Sequence, residues 1–102
     1  MKVFDVRISQ EALNDMGALR LFLNSMMSEE GAVRYANAMR AEINSLSVYA
    51  NFIARTSSKT LRQIHPAARR LVSHNRRWIY IYHIEEDVVI VDRIIPAKMN
   101  KG

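Results

Sequence analysis

The sequence predicts an α+β fold: an N-terminal strand, an antiparallel helical hairpin and then a three-stranded antiparallel meander, with the helices packed on one face of the sheet. Three observations carry that expectation. Residues 2–8 alternate between apolar and polar side chains, two serine-led runs then repeat their apolar residues at helical spacing, and from Ala68 the period drops to two.

In residues 2–8, Val3, Asp5 and Arg7 fall on one side and Phe4, Val6 and Ile8 on the other, as in a half-buried strand. Ser9 is placed to cap a helix with Glu11 in its first turn and an apolar row of Ala12, Leu13, Met16, Leu19, Leu23 and Met26. Gly17 weakens that helix by about 1 kcal/mol without ending it. Ser28 is a second cap, with Glu29 and Glu30 at the positive end of the helix dipole; the following row is Ala32, Tyr35 or Ala36, Met39, Ile43, Leu46 and Ala50. The short gap between the two runs implies an antiparallel hairpin. Residues 55–67 are polar and basic, with Pro66 restraining His65, and read as a loop. Strands follow at residues 68–74, 77–85 and 88–95; the last two are rich in β-branched and aromatic residues and flank the acidic turn Glu86-Asp87. Laying the hairpin across one face of the sheet buries both apolar surfaces and leaves the opposite face available.

The 102 residues, 49% of them hydrophobic, suit a single domain with one core. Cysteine is absent, which excludes disulfides, a thiolate nucleophile and cysteine metal ligands. The three histidines stand in no ligand spacing, so neither a metal nor another cofactor is expected. No apolar stretch approaches the roughly eighteen residues of a membrane span, and the N-terminus lacks the apolar core of a signal peptide; a cytoplasmic protein is expected. Charge is uneven. Residues 1–54 hold five bases against six acids, whereas residues 55–102 hold ten bases against four acids. A surplus of that size on one half suggests a polyanionic or acidic partner, with a merely solvated surface as the plain alternative.

The order and wording of these segments resemble the RelE/ParE toxin superfamily. The stretch Val6-Arg7-Ile8-Ser9-Gln10-Glu11-Ala12-Leu13-Asn14-Asp15-Met16 is similar to the family's opening, and residues 31–46 (GAVRYANAMRAEINSL) to its second helix. Arg69-Arg70-Leu71-Val72 resembles its second strand, and residues 80–95 (YIYHIEEDVVIVDRII) its closing hairpin. The resemblance covers nearly the whole chain, and its specificity lies in the order of the fragments and the interval from Tyr82 to Arg93. Departures accompany it. Many relatives carry Arg where this chain has His83, and they follow the last strand with a ring and a basic residue; here Pro96 replaces the ring and Lys98 stands for the base.

The resemblance implies the toxin of a bacterial type II toxin–antitoxin pair, neutralised by an antitoxin whose acidic or amphipathic segment covers the basic or apolar surface. Two activities follow from it: inhibition of DNA gyrase in the ParE branch, a binding function, and ribosome-dependent mRNA cleavage in the RelE branch, an enzymatic one. The long second helix and the missing C-terminal ring lean towards the first, and the basic sheet side keeps the second open. A basic nucleic-acid-binding module or a non-toxic member of the family is the third reading.

The candidate target-binding residues are Arg69, Arg70, Arg77, His83, Arg93 and Lys98. Metal-free RNA cleavage needs a base, an acid and cations for the developing phosphorane charge. Arginines supply the cations, and only His65, His74, His83, a tyrosine or a carboxylate could do the proton transfer. None of the histidines stands in a spacing diagnostic of catalysis, and His83 reads more readily as a packed or surface residue, His74 as a turn residue and His65 as a loop residue, so no catalytic residue is assigned. Arg93 sits in an apolar strand and must reach an open face or pair with an acid inside the fold. A two-residue turn, at Glu85 and Glu86 or at Glu86 and Asp87, puts it on the face of Trp78, Tyr80 and Tyr82; a three-residue turn puts it beside Ile79, Ile81 and His83, and the sequence leaves the register open. Such an aromatic row is either core or, beside Arg, a base-stacking surface. Arg69 and Arg70 point to opposite faces of their strand.

Overall fold

The computed structural model describes residues 2–97. In chain order they form β1 (Asp5–Ile8), α1 (Gln10–Met26), α2 (Glu29–Asn44), the short helix α3 (Leu46–Tyr49), a 3-10 turn (Ala50–Phe52), the single-turn helix α4 (Lys59–Arg62), β2 (Arg69–Val72), β3 (Trp78–Glu85) and β4 (Val88–Pro96). The strand order is β1-β4-β3-β2, with β1 parallel to β4 and the other neighbours antiparallel. The expected strand, helical hairpin and meander are all present, and β1 joins the sheet beside the last strand.

Local chemistry starts both long helices. The Ser9 hydroxyl accepts the Ala12 N–H at 3.1 Å and donates to the Asp92 carbonyl at 3.0 Å, which ties the start of α1 to β4. Ser28 accepts the Gly31 N–H at 3.1 Å. Only Met27 and Ser28 separate the helices, which turn back on one another and pack on the sheet. The core joins Ala12, Leu19 and Leu23 of α1 to Ala32, Met39 and Ile43 of α2 and to Tyr80, Tyr82, Val89, Val91 and Ile94 of the sheet. The buried row of the second helical run continues through Leu46 and Ala50, although α2 itself stops at Asn44.

Three expectations need correction. The apolar stripe of α1 is narrower than the sequence suggests: Leu13 and Met26 are 47% and 66% exposed, because the helix meets the core along the single line Ala12, Met16, Leu19 and Leu23. Residues 55–67 are not all loop. Ser58 accepts the Leu61 N–H and starts α4, which carries Leu61 onto the far side of the sheet. There Leu61 and Ala68 bury Ile79 and Ile81, with Ile64, Ile95 and Ala97 around them, so the middle of that face is covered rather than left available. Finally, the hairpin does have its two-residue turn, with Glu85 opposite Val88, yet Arg93 does not join the Trp78, Tyr80 and Tyr82 face. A bulge intervenes: Tyr82 pairs with Val91 but Ile81 pairs with Arg93, which leaves Asp92 as the extra residue and inverts the parity beyond it.

Candidate functional site

The candidate cations fall in different places. Arg93 sits where β1 has ended and the edge of β4 is taken over by α1. Its Nε and Nη2 donate to the Asp15 carboxylate at 2.8 and 3.1 Å, and that bond is the first cause of the raised affinity of the guanidinium for its proton. Arg69 is half-buried on the helix side of β2 and donates to the Ile53 carbonyl at 2.6 Å. Arg70 is exposed on the other side of the same strand. Arg77 is exposed beside Arg76 where the chain enters β3. Lys98 lies outside the described residues.

The entry to β3 is held firmly. The Ser73 hydroxyl donates to Asn75 Oδ1 at 2.7 Å and accepts the Trp78 N–H at 3.1 Å, while Asn75 Nδ2 and Trp78 Nε1 both donate to the Tyr35 hydroxyl at 2.7 Å. Further along α2, Glu42 accepts the Tyr80 hydroxyl at 2.9 Å and the His74 N–H at 2.5 Å. Burial, then the bond to Glu42, pushes the Tyr80 phenol far up, so it stays neutral as a donor. Arg76 bends the chain with φ 62°, in the left-handed region.

This fixed corner opens onto a cleft of about 340 Å³ lined by Phe22, Arg76, Arg77, Trp78 and Pro96. Phe22, Trp78 and Pro96 also line the adjoining recess that reaches Asp15 and Arg93. The result is a groove along the α1 side of β4, with an apolar and aromatic floor and arginines towards both ends. Such a groove suits an anionic group next to an apolar or planar one. Of its residues, Arg77 and Arg93 were candidates from sequence. The run Arg76-Arg77-Trp78 carried the signal for its neighbours, whereas Phe22 and Pro96 join only through tertiary packing.

His83 lies elsewhere, on the outer sheet face. It is 5% exposed, with Nδ1 2.6 Å from Asp92 Oδ2 and Nε2 3.1 Å from Glu85 Oε1, and the His65 ring is stacked on it at 3.7 Å between centroids. His74 is exposed at the hairpin. The structure therefore does not gather the three histidines with the arginine groove.

The sheet order, the capped helical hairpin on one face and the closing antiparallel hairpin make up the α+β fold of the chain. The chain shares it with a chain of the solved structure "Chromosomal ParDE TA system from P. aeruginosa", at a TM-score of 0.77 and 16% identity, over 92% of this chain and 96% of that one. No protein-family model and no curated protein matches the sequence.

Proposed function

We propose that this chain, as a single domain over residues 1–102, is the toxin of a cytoplasmic type II toxin–antitoxin pair. In this reading it acts in the ParE manner, by binding DNA gyrase, and a cognate antitoxin neutralises it. The observation that carries the reading is the fold shared along nearly the full length of both chains with a member of a ParDE system. The disposition of the histidines supports a binding function over RNA cleavage: His83 is enclosed by two carboxylates and a second ring, and no histidine lines the arginine groove among the described residues. In the antitoxin complex, an acidic segment with an apolar anchor fills the groove, its carboxylates at Arg76 and Arg77 and its anchor against Phe22 and Trp78.

Expression of the chain alone is expected to arrest bacterial growth, and co-expression of a small protein encoded beside it to relieve the arrest. Purified protein should then inhibit supercoiling by gyrase and leave mRNA on translating ribosomes intact. Codon-positioned mRNA ends with unaffected gyrase would move the chain to the RelE-like reading. Normal growth at confirmed folded expression would remove the toxin assignment altogether.

A further inference from the structure

Side chains distant in sequence meet on the outer sheet face around His83. The bulge in β4 brings the Asp92 carboxylate to its Nδ1, Glu85 of β3 faces its Nε2, and the segment after α4 lays His65 flat against it, the two rings 4° from parallel. One ligand atom from each of His65, His83 and Glu85 lies within 4.8 Å of the other two. We propose that His65, His83 and Glu85 form a binding site for a borderline-soft divalent cation of the Zn²⁺ type, which clips the α4 segment to β3, with Asp92 orienting His83.

The donor set is one that zinc accepts, imidazole nitrogen and carboxylate oxygen. The 3.1 Å from His83 Nε2 to Glu85 Oε1 is close to the edge of a tetrahedron built on bonds of roughly 2.0–2.2 Å, about 3.3–3.6 Å. The second carboxylate stands where a metal-bound imidazole is ordinarily held, on the nitrogen that does not ligate. A neutral His83 that gives its one N–H to Asp92 leaves the Nε2 lone pair facing a carboxylate oxygen. Either a second ring proton or a cation removes that conflict. Glu85, with its side chain 62% exposed, opens the site to solvent, so that water can take the fourth position.

His65 is the ligand that must move. Its Nδ1 accepts the Ala67 N–H at 3.0 Å, and a ring nitrogen ligates only within the plane of its ring, so a bond to the cation costs that hydrogen bond and tilts the ring out of the stack. Stack and metal bond are alternative uses of the same two rings. No spacing in the sequence signals the site, because His65 and His83 are brought together only by the fold of α4 over the sheet.

Zinc chloride titrated calorimetrically into the full chain, first freed of metal with a chelator, tests the site. One saturable site and a raised melting midpoint are expected. His65→Phe keeps a stacking ring and Glu85→Gln keeps an exposed side chain of the same size, so both should fold; each is expected to weaken zinc binding at least about tenfold. Asp92→Asn should weaken it by roughly 10- to 100-fold, and His74→Asn, on the hairpin, should leave it unchanged. No saturable binding by the unaltered protein, full binding by either His65→Phe or Glu85→Gln, or loss of binding in His74→Asn overturns the proposal.

Discussion

Asp15 grips Arg93 with both carboxylate oxygens, at 2.8 and 3.1 Å, and with one of them also takes the Ile94 N–H at 2.9 Å. β1 pairs with β4 only as far as Val91, so beyond that point the strand has lost its neighbour. A side chain of α1 stands in for the missing backbone. Asp15→Ala therefore leaves both a guanidinium and a strand N–H without this acceptor. The expected loss is about 1.5–3 kcal/mol of unfolding free energy, towards the lower end because the Arg93 side chain is 38% exposed and screened by solvent. Arg93→Leu should cost less, since Asp15 keeps the Ile94 N–H. Urea unfolding of the two variants decides the order, and a greater loss for Arg93→Leu would contradict this account of the edge.

The two helix caps should differ in weight. Ser9 both accepts from the helix and donates to Asp92, whereas Ser28 accepts only from its own helix. Ser28→Ala is expected to cost about 1 kcal/mol and Ser9→Ala up to about 2 kcal/mol. Equal melting midpoints for the two variants would show that the bond from Ser9 to Asp92 contributes nothing.

Gly17 lies exposed within α1, and a Cβ built on it meets nothing within 4 Å. Gly17→Ala should stabilise the protein by roughly 0.5–1 kcal/mol, through the smaller entropy lost by the chain on folding. A lower midpoint on thermal unfolding would reveal a packing or partner requirement at that turn.

Tyr82 sets an alkaline limit. Burial pushes its phenol up to about 12 from the ordinary 10.0, against a smaller opposing pull from Arg69, and its hydroxyl donates to the Ala50 carbonyl at 2.8 Å. The folded protein thus holds a proton that the unfolded chain releases first. The stabilisation is complete below pH about 10 and is lost as pH rises through about 12. Denaturant unfolding across that interval should show falling stability, with a shallower fall in Tyr82→Phe. A slope unchanged by the substitution would place the alkaline sensitivity elsewhere.

Much of this fold was legible because its signals are local. Ser9 and Ser28 announce the helices through their capping chemistry, and the alternation in β1, β3 and β4 announces the strands. Position on a face was less legible. The turn at Glu86 and Asp87 has the simplest length, but Asp92 bulges, and one extra residue reverses the face on which Arg93 emerges. Leu61 and Ile64 were hidden among polar neighbours, so the cover over Ile79 and Ile81 did not show. The groove was half legible: Arg76, Arg77 and Trp78 stand together in sequence, whereas Phe22 reaches them only from the side of α1.

The parallel pairing of β1 with β4 has a consequence for the order of assembly. Asp5 to Ile8 pair with Val88 to Val91, in the strand that is synthesised last of those described. The backbone of Asp5 to Ile8 therefore lacks its strand partner while the helical hairpin, β2 and β3 are already available. Closing so long a loop carries an entropy cost that the local hairpins do not. The same seam fixes the start of α1, through Ser9 against Asp92. The sheet is thus completed by a clasp joining the first and last of the described strands, and a nascent chain short of β4 lacks both the finished sheet and the arginine groove built on it.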